Sequence, residues 1–225
     1  MVQKADPSLT LVIGNKNYSS WSLRPWIFLK KFSIVFEEER IALFTATTND
    51  LLAAYHSNDM IPVLLDNGFE VWDSLSIIEY LSDAYLQGAG WPVDQKARAF
   101  TRSMSAEMHS SFQALLDEMP MNCRKKINGI NLSASARKDV ERVIWLWEQC
   151  HQQYGQYGPW LAGAFSAVDA MFIPVALRFA GYGIDVKGFA KEYLQTVLAD
   201  EWIRQWMEDG RHEKEIIAED EIETV

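Results

Sequence analysis

Cysteine is almost missing from this chain, whose 225 residues hold only Cys123 and Cys150. The two form no CxxC pair, so a disulfide framework, a zinc centre and dithiol redox chemistry all lack their ligands. Positive charge is also scarce, with 21 Lys and Arg against 31 Asp and Glu, a formal net charge of −10 and a pI near 4.9. Nucleic-acid affinity comes from clustered cations, and the one cluster here is Arg124, Lys125 and Lys126, so phosphate backbones and anionic membranes are poor partners. No apolar run approaches the roughly 18 residues that span a bilayer. The N-terminal stretch MVQKADPSLT lacks the apolar core of a signal peptide, and the expected location is cytoplasmic. The last thirteen residues, Glu213 to Val225, carry six acids and one lysine and are expected to form a solvated tail.

What is present is a globular composition: 48% hydrophobic, 23% charged and 12% aromatic, with nine tryptophans. The length allows one large domain or two small ones. Up to about residue 86, strands alternate with helices. Leu11, Val12 and Ile13 form an apolar run ending at Gly14, and the polar turn Asn15 to Ser20 leads into helical spacing at Leu23, Trp26, Ile27 and Lys30. An edge strand with acidic Glu37 to Glu39 is expected between Ile34 and Leu43. Thr48 and Asp50 start a helix carrying Leu51, Leu52 and Tyr55. Asn67-Gly68 between two short apolar segments predicts that Val63 to Asp66 pairs antiparallel with Phe69 to Trp72. Leu75, Ile78, Leu81, Ala84 and Tyr85 then follow helical spacing.

The turn-rich QGAGWP, residues 87–92, is read as a linker between a domain at 1–86 and an all-helical one at 93–225. Asp94 opens a segment with Ala97, Met104, Met108, Phe112, Leu115 and Met119 on one stripe, stopped by Pro120. Ser133 caps a helix carrying Val140, Val143, Ile144, Trp147, His151 and Tyr154. Ser166 and Asp169 resemble a capping box, with Phe165 and Ala170 as its hydrophobic staple. Two further helices are expected at 188–200 and 201–209.

Three places could carry chemistry. The turn NYSSWSLRPW, Asn17 to Trp26, has three serines at a helix start; such a serine is ordinarily an N-cap, yet a hydroxyl beside unpaired helix N–H groups can also stabilise an anion. Ile61-Pro62 precedes a strand, where proline fits a strand start or an edge and a cis bond would free the Ile61 backbone for an extended ligand. Asp73 and Ser74 cap the next helix, where a ligand carboxylate could take the free N–H groups and an amine could meet Asp73.

Together SSWSLR, MIPVL, VWDSLSIIEYL and FSAVDAM resemble the glutathione S-transferase family over nearly the whole chain, most closely a bacterial serine-type subgroup with some similarity to the zeta class. That resemblance implies a thioredoxin-like N-terminal domain that binds glutathione, followed by a helical domain holding an electrophile site. It implies Ser19, five residues before Arg24, as the catalytic residue, with Ser20 as the alternative. Trp21 stands where the zeta class has cysteine. Ile61 and Pro62 match the family's cis-proline position, and Asp73 with Ser74 its γ-glutamyl grip. Met60 stands where many members place a cation for the glycine carboxylate, and His56 and Lys16 are the candidate substitutes. Trp21, Met104, His109 and Phe112 are the candidate electrophile wall. The resemblance implies a cytoplasmic homodimer engaged in detoxification, transferring an alkyl or aryl group to the glutathione sulfur without a metal. The alternatives are a non-catalytic protein-binding module on the same fold, or a glutathione-dependent isomerase or peroxidase.

Overall fold

The computed structural model describes residues 9–127 and 129–222. Residues 1–8 of the N-terminal stretch, and 223–225 of the acidic run, lie outside the described residues. Strand β1 (Leu9–Ile13) is apolar throughout its inner positions and leads into helix α1 (Ser20–Lys31). Strand β2 (Glu37–Arg40) lies parallel to β1 at the edge of the sheet, its four residues exposed as their charges require. After the short helix α2 (Thr48–Leu52), β3 (Val63–Asp66) and β4 (Phe69–Trp72) form the hairpin expected from Asn-Gly. Asn67 and Gly68 take φ of 50° and 86°, the left-handed pair that a two-residue loop between twisted strands requires. Helix α3 (Ser74–Leu86) closes this half, and the strand order is β2-β1-β3-β4.

The remainder is helical: α4 (Gln95–Ser110), α5 (Gln113–Glu118), α6 (Ala134–Tyr154), α7 (Ala167–Gly181), α8 (Gly188–Ala199), α9 (Glu201–His212) and a final 3₁₀ turn at Ala218–Asp220. Among the described residues no helix is long and apolar enough to cross a membrane. The architecture is a four-stranded mixed sheet with its helices followed by an all-helical region. Helix α1 joins the two, packing on α3 from one side and on α7 and α9 from the other. Accordingly Leu23, Trp26, Ile27, Phe28 and Leu29 are all buried, and α1 has no broad solvent face.

One helix expected from the sequence is two. The stripe from Ala97 to Met119 is continuous in burial, but Phe112 adopts φ 67°, ψ 29°, a left-handed conformation that no right-handed helix continues through. Its ring stays in the core while the chain restarts as α5, where the Leu115 N–H donates to Asp139 of α6 rather than to the preceding turn. Asp94 does cap α4, accepting from Lys96 and Ala97 at 3.0 and 2.8 Å.

The acidic terminus is a second correction, because it is strapped to the molecule. Both oxygens of Glu213 accept backbone N–H bonds, from Lys16 and Asn17 at 2.8 and 3.0 Å. Arg124 donates to the carbonyls of Glu213 and Glu215 and to the Tyr18 hydroxyl. Glu221 receives Tyr18, Asn122 and Lys125. The acids are therefore partners of a basic loop and of the β1–α1 turn. Gly210 permits this approach, since a Cβ there would lie 2.9 Å from the Asn17 nitrogen.

The capping box at α7 is fully enclosed. Asp169, 0% exposed, accepts from the Ser166 N–H at 2.9 Å and from the Leu161 N–H at 3.0 Å, and the Ala167 N–H donates to the Gly90 carbonyl. Asp169→Ala would leave two buried donors unpaired and is expected to cost about 2–4 kcal/mol. Urea unfolding should show this as a lower midpoint with an unchanged slope.

Candidate functional site

The first turn of α1, the segment from Leu43 through α2 to Pro62, the β4–α3 turn, α4 and the C-terminal strap converge on a cleft of about 1040 Å³. Its wall includes Trp21, Ile61, Pro62, Asp73, Ser74 and His109. The Ile61-Pro62 bond is cis and lies just before the first β1–β3 pair, Val12 with Val63, so Ile61 faces the cleft from outside the ladder.

Ser19 is the N-cap of α1: its Oγ accepts from the Ser22 N–H at 3.4 Å and donates to the Ser22 Oγ at 2.7 Å. The Ser22 hydroxyl in turn accepts from the Gly14 N–H, which anchors the turn to the end of β1. Ser20 Oγ accepts from Arg178 Nη2 at 3.1 Å, a contact from α7 that sequence reasoning missed. Both serines are nearly buried, and neither belongs to the cleft wall.

On the opposite side Asp73 caps α3, its Oδ1 accepting from Leu75 and Ser76 at 2.9 and 3.1 Å. Its other oxygen lies 3.0 Å from His109 Nε2. Ser74 Oγ accepts from Arg24 Nη1 at 3.4 Å, and the Arg24 guanidinium stacks 4.1 Å from the Trp21 ring centre. Arg24 and Arg178 are both buried, and neither makes an ion pair among the described residues. Burial and then the charge of Arg178 lower the Arg24 pKa to about 9, against the pull of Asp73. Burial lowers Arg178 to about 10. Both therefore remain charged at neutral pH beside the α3 and α1 N-termini, with Asp73 near Arg24 and Asp220 near Arg178 offsetting only part of the cost of burial.

The candidate cations for a second carboxylate are elsewhere. Lys16, one of the two candidates, is buried between the Trp26 and Trp206 rings and bonded to Glu38 and Asp209 at 2.8 and 2.9 Å. His56 pairs with Glu70 on the outer surface. Of the expected electrophile wall, Trp21 and His109 do line the cleft, their rings meeting edge to face at 5.4 Å. Met104 and Phe112 are 1% and 5% exposed and belong to the core rather than to the cleft wall. Ile216, Ile217 and Ala218 of the strap supply apolar wall instead. The apolar triplet inside EKEIIAED was the signal for them. Cys123 and Cys150 are buried, and burial raises the Cys123 thiol to about 12, so neither is a thiolate at neutral pH.

Residues 18–84 match the family model described as glutathione S-transferase, N-terminal domain. The chain has the glutathione transferase fold. A glutathione transferase homologue from Burkholderia gl BGR1, solved with bound glutathione, superposes with a TM-score of 0.67 at 20% identity, over 92% of this chain and 100% of that one. An unclassified glutathione S-transferase of the silkworm Bombyx mori gives 0.70 at 18% identity, over 91% and 94%. Human glutathione S-transferase T1-1 gives 0.62 at 22%, over 90% and 88%. In glutathione transferase terms the cleft lies on the sheet half, roofed by the chain's own C-terminus.

Arg124→Ala removes its bonds to the Glu213 and Glu215 carbonyls, leaving the other ties of the strap, and is expected to raise its local opening about tenfold, the effect of about 1.4 kcal/mol. Limited trypsin digestion after Lys214 should accelerate by that factor while the rest of the chain resists.

Proposed function

We propose that this protein binds glutathione in the cleft and activates its thiol for attack on a small hydrophobic electrophile. The observation that carries this reading is the α3 N-terminus, where Ser74 lines the cleft with the buried Arg24 guanidinium directly behind it. A buried cation behind a helix N-terminus favours an anionic ligand, and a tripeptide thiolate offers both a carboxylate and a sulfur anion.

In this reading the γ-glutamyl carboxylate meets the Ser74 hydroxyl and the α3 N-terminus, and the cysteinyl backbone meets Ile61 beside cis-Pro62. The amine meets Asp73, whose second oxygen it shares with His109. The sulfur lies at the start of α1, where the Ser19 hydroxyl turns from Ser22 to donate to it. A fall in the thiol pKa from about 8.5 to about 6.5 is worth roughly 2.7 kcal/mol and raises the thiolate fraction at pH 7 some twentyfold. Lower basicity returns almost tenfold of that in nucleophilicity, so placement of the electrophile against Trp21, Ile216 and Ile217 provides the remainder. A second reading gives the sulfur to Ser20, because its hydroxyl accepts from Arg178 and has no acceptor of its own among the described residues. The same function carries a cytoplasmic homodimer, to which the exposed Phe69 ring on edge strand β4 offers an apolar contact.

Calorimetric titration with reduced glutathione up to about 10 mM tests the cofactor, since even a 1 mM dissociation constant corresponds to about −4.1 kcal/mol. One saturable site per chain is expected, and no binding heat over that range would defeat the proposal. Ser19→Ala should lower kcat by about one to two orders of magnitude with little change in KM, and shift the rise of kcat with pH upward towards about 8.5. If Ser20→Ala shows that behaviour instead, the second reading holds. Ser74→Ala should raise KM for glutathione, its contact being made before the reaction as well as during it.

A further inference from the structure

The cleft is electrostatically one-sided. At its α3 end stand Ser74, the helix N-terminus and, behind them, the guanidinium of Arg24, while the Asp73 carboxylate there is engaged by the Leu75 and Ser76 N–H groups and by His109. Along the remaining wall, from α2 past Asp59, Met60 and Ile61 to the strap, none of the described lining residues is Lys or Arg. The charged groups that face this stretch are Asp59 and Glu219. Lys16 is held by Glu38 and Asp209, His56 by Glu70, and Arg40 by Glu213 and Glu215.

An extended peptide covers about 3.3–3.6 Å per residue, so a tripeptide anchored by one carboxylate at Ser74 carries its other terminus about 10 Å away. The single cationic end of the cleft cannot hold both carboxylates. The far one would enter a region whose fixed charges are negative, in a chain already at −10.

We infer that the preferred thiol co-substrate is a γ-glutamylcysteinyl peptide whose C-terminal carboxylate is masked through an amide bond, its extension neutral or cationic. This rests on the glutathione-binding reading above and specifies which form of the thiol the cleft selects. Met60, 64% exposed, occupies the wall where a cation would reverse the preference, and a longer polar side chain there disturbs no core packing.

The test compares two probes on the full chain by calorimetry at low ionic strength: reduced glutathione, and its C-terminal glycinamide, which differs in the far charge alone. The amide is expected to bind at least fivefold tighter, and the gap should narrow in about 0.5 M salt, where the Debye length is only a few ångströms. In Met60→Lys the order should reverse, with glutathione the tighter ligand. Equal or tighter binding of glutathione by the unmodified protein would overturn the inference and leave the glutathione-binding reading standing. A gap that ignores salt and survives Met60→Lys would also overturn it, since the charge would then not be its source. Failure of both thiols to bind would remove the glutathione-binding reading, and this inference with it.

Discussion

A guanidinium taken out of water needs either a carboxylate or a set of oriented dipoles, and this fold buries two that hydrogen-bond to dipoles while Asp73 and Asp220 act on them from beyond ion-pair distance. Arg24 is held by Ser74 and the face of Trp21; Arg178 by the carbonyls of Met119 and Pro174 and by Ser20. Their mutual repulsion is part of why the Arg24 pKa falls. Such an arrangement lowers stability in the empty protein, because a buried charge without a partner forfeits its hydration. Of the two, Arg24 stands directly behind the cleft through Ser74, while Arg178 joins α7 to Ser20 at the start of α1.

Helix α1 is where that constraint meets the architecture. It is buried from both sides, packing on α3 of the sheet half and on α7 and α9 of the helical half. Polar ties reinforce the arrangement at the boundary: Lys16 reaches Glu38 and Asp209, Lys31 reaches the α9 cap Asp200, and Trp26 donates to Glu38. Isolated surface ion pairs contribute little. Lys16 differs because it is enclosed by two tryptophan rings and carries two carboxylates, which makes loss of either partner costly. The C-terminal strap adds a removable element to this rigid frame, fastened by charges and backbone bonds with little apolar burial apart from Ile217.

Much of this was legible in the residues because local chemistry carries it. Asn67-Gly68 requires left-handed backbone and so announces its hairpin; Ser133, Asp94 and the Ser166–Asp169 box announce helix starts through the N–H groups they satisfy. Asp73 and Ser74 were readable as a cap, and a cap is what they form, with Arg24 behind it. The break at Phe112 was hidden because the apolar stripe runs through it unchanged, and a phenylalanine gives no local warning of positive φ. The acidic tail was misread for a related reason: charge composition speaks of solvent until the opposite charges that fold beside it are known. Lys16 illustrates the same point, since nothing near it in sequence predicts Glu38 from the edge strand or Asp209 from the ninth helix.

What the sequence by itself determined are the pieces whose physics is short-ranged: the alternation of strands and helices, their caps and turns, and the serine, proline and Asp-Ser signatures that resemble one family. The tertiary structure alone decided which of these meet. It set Arg178 of α7 against Ser20 of α1, moved Met104 and Phe112 into the core, and brought Ile216, Ile217 and Ala218 over the cleft. The reason is that side-chain periodicity tells which face of an element is apolar but not which distant element will cover it, and charge compensation over such distances exists only once the chain has closed.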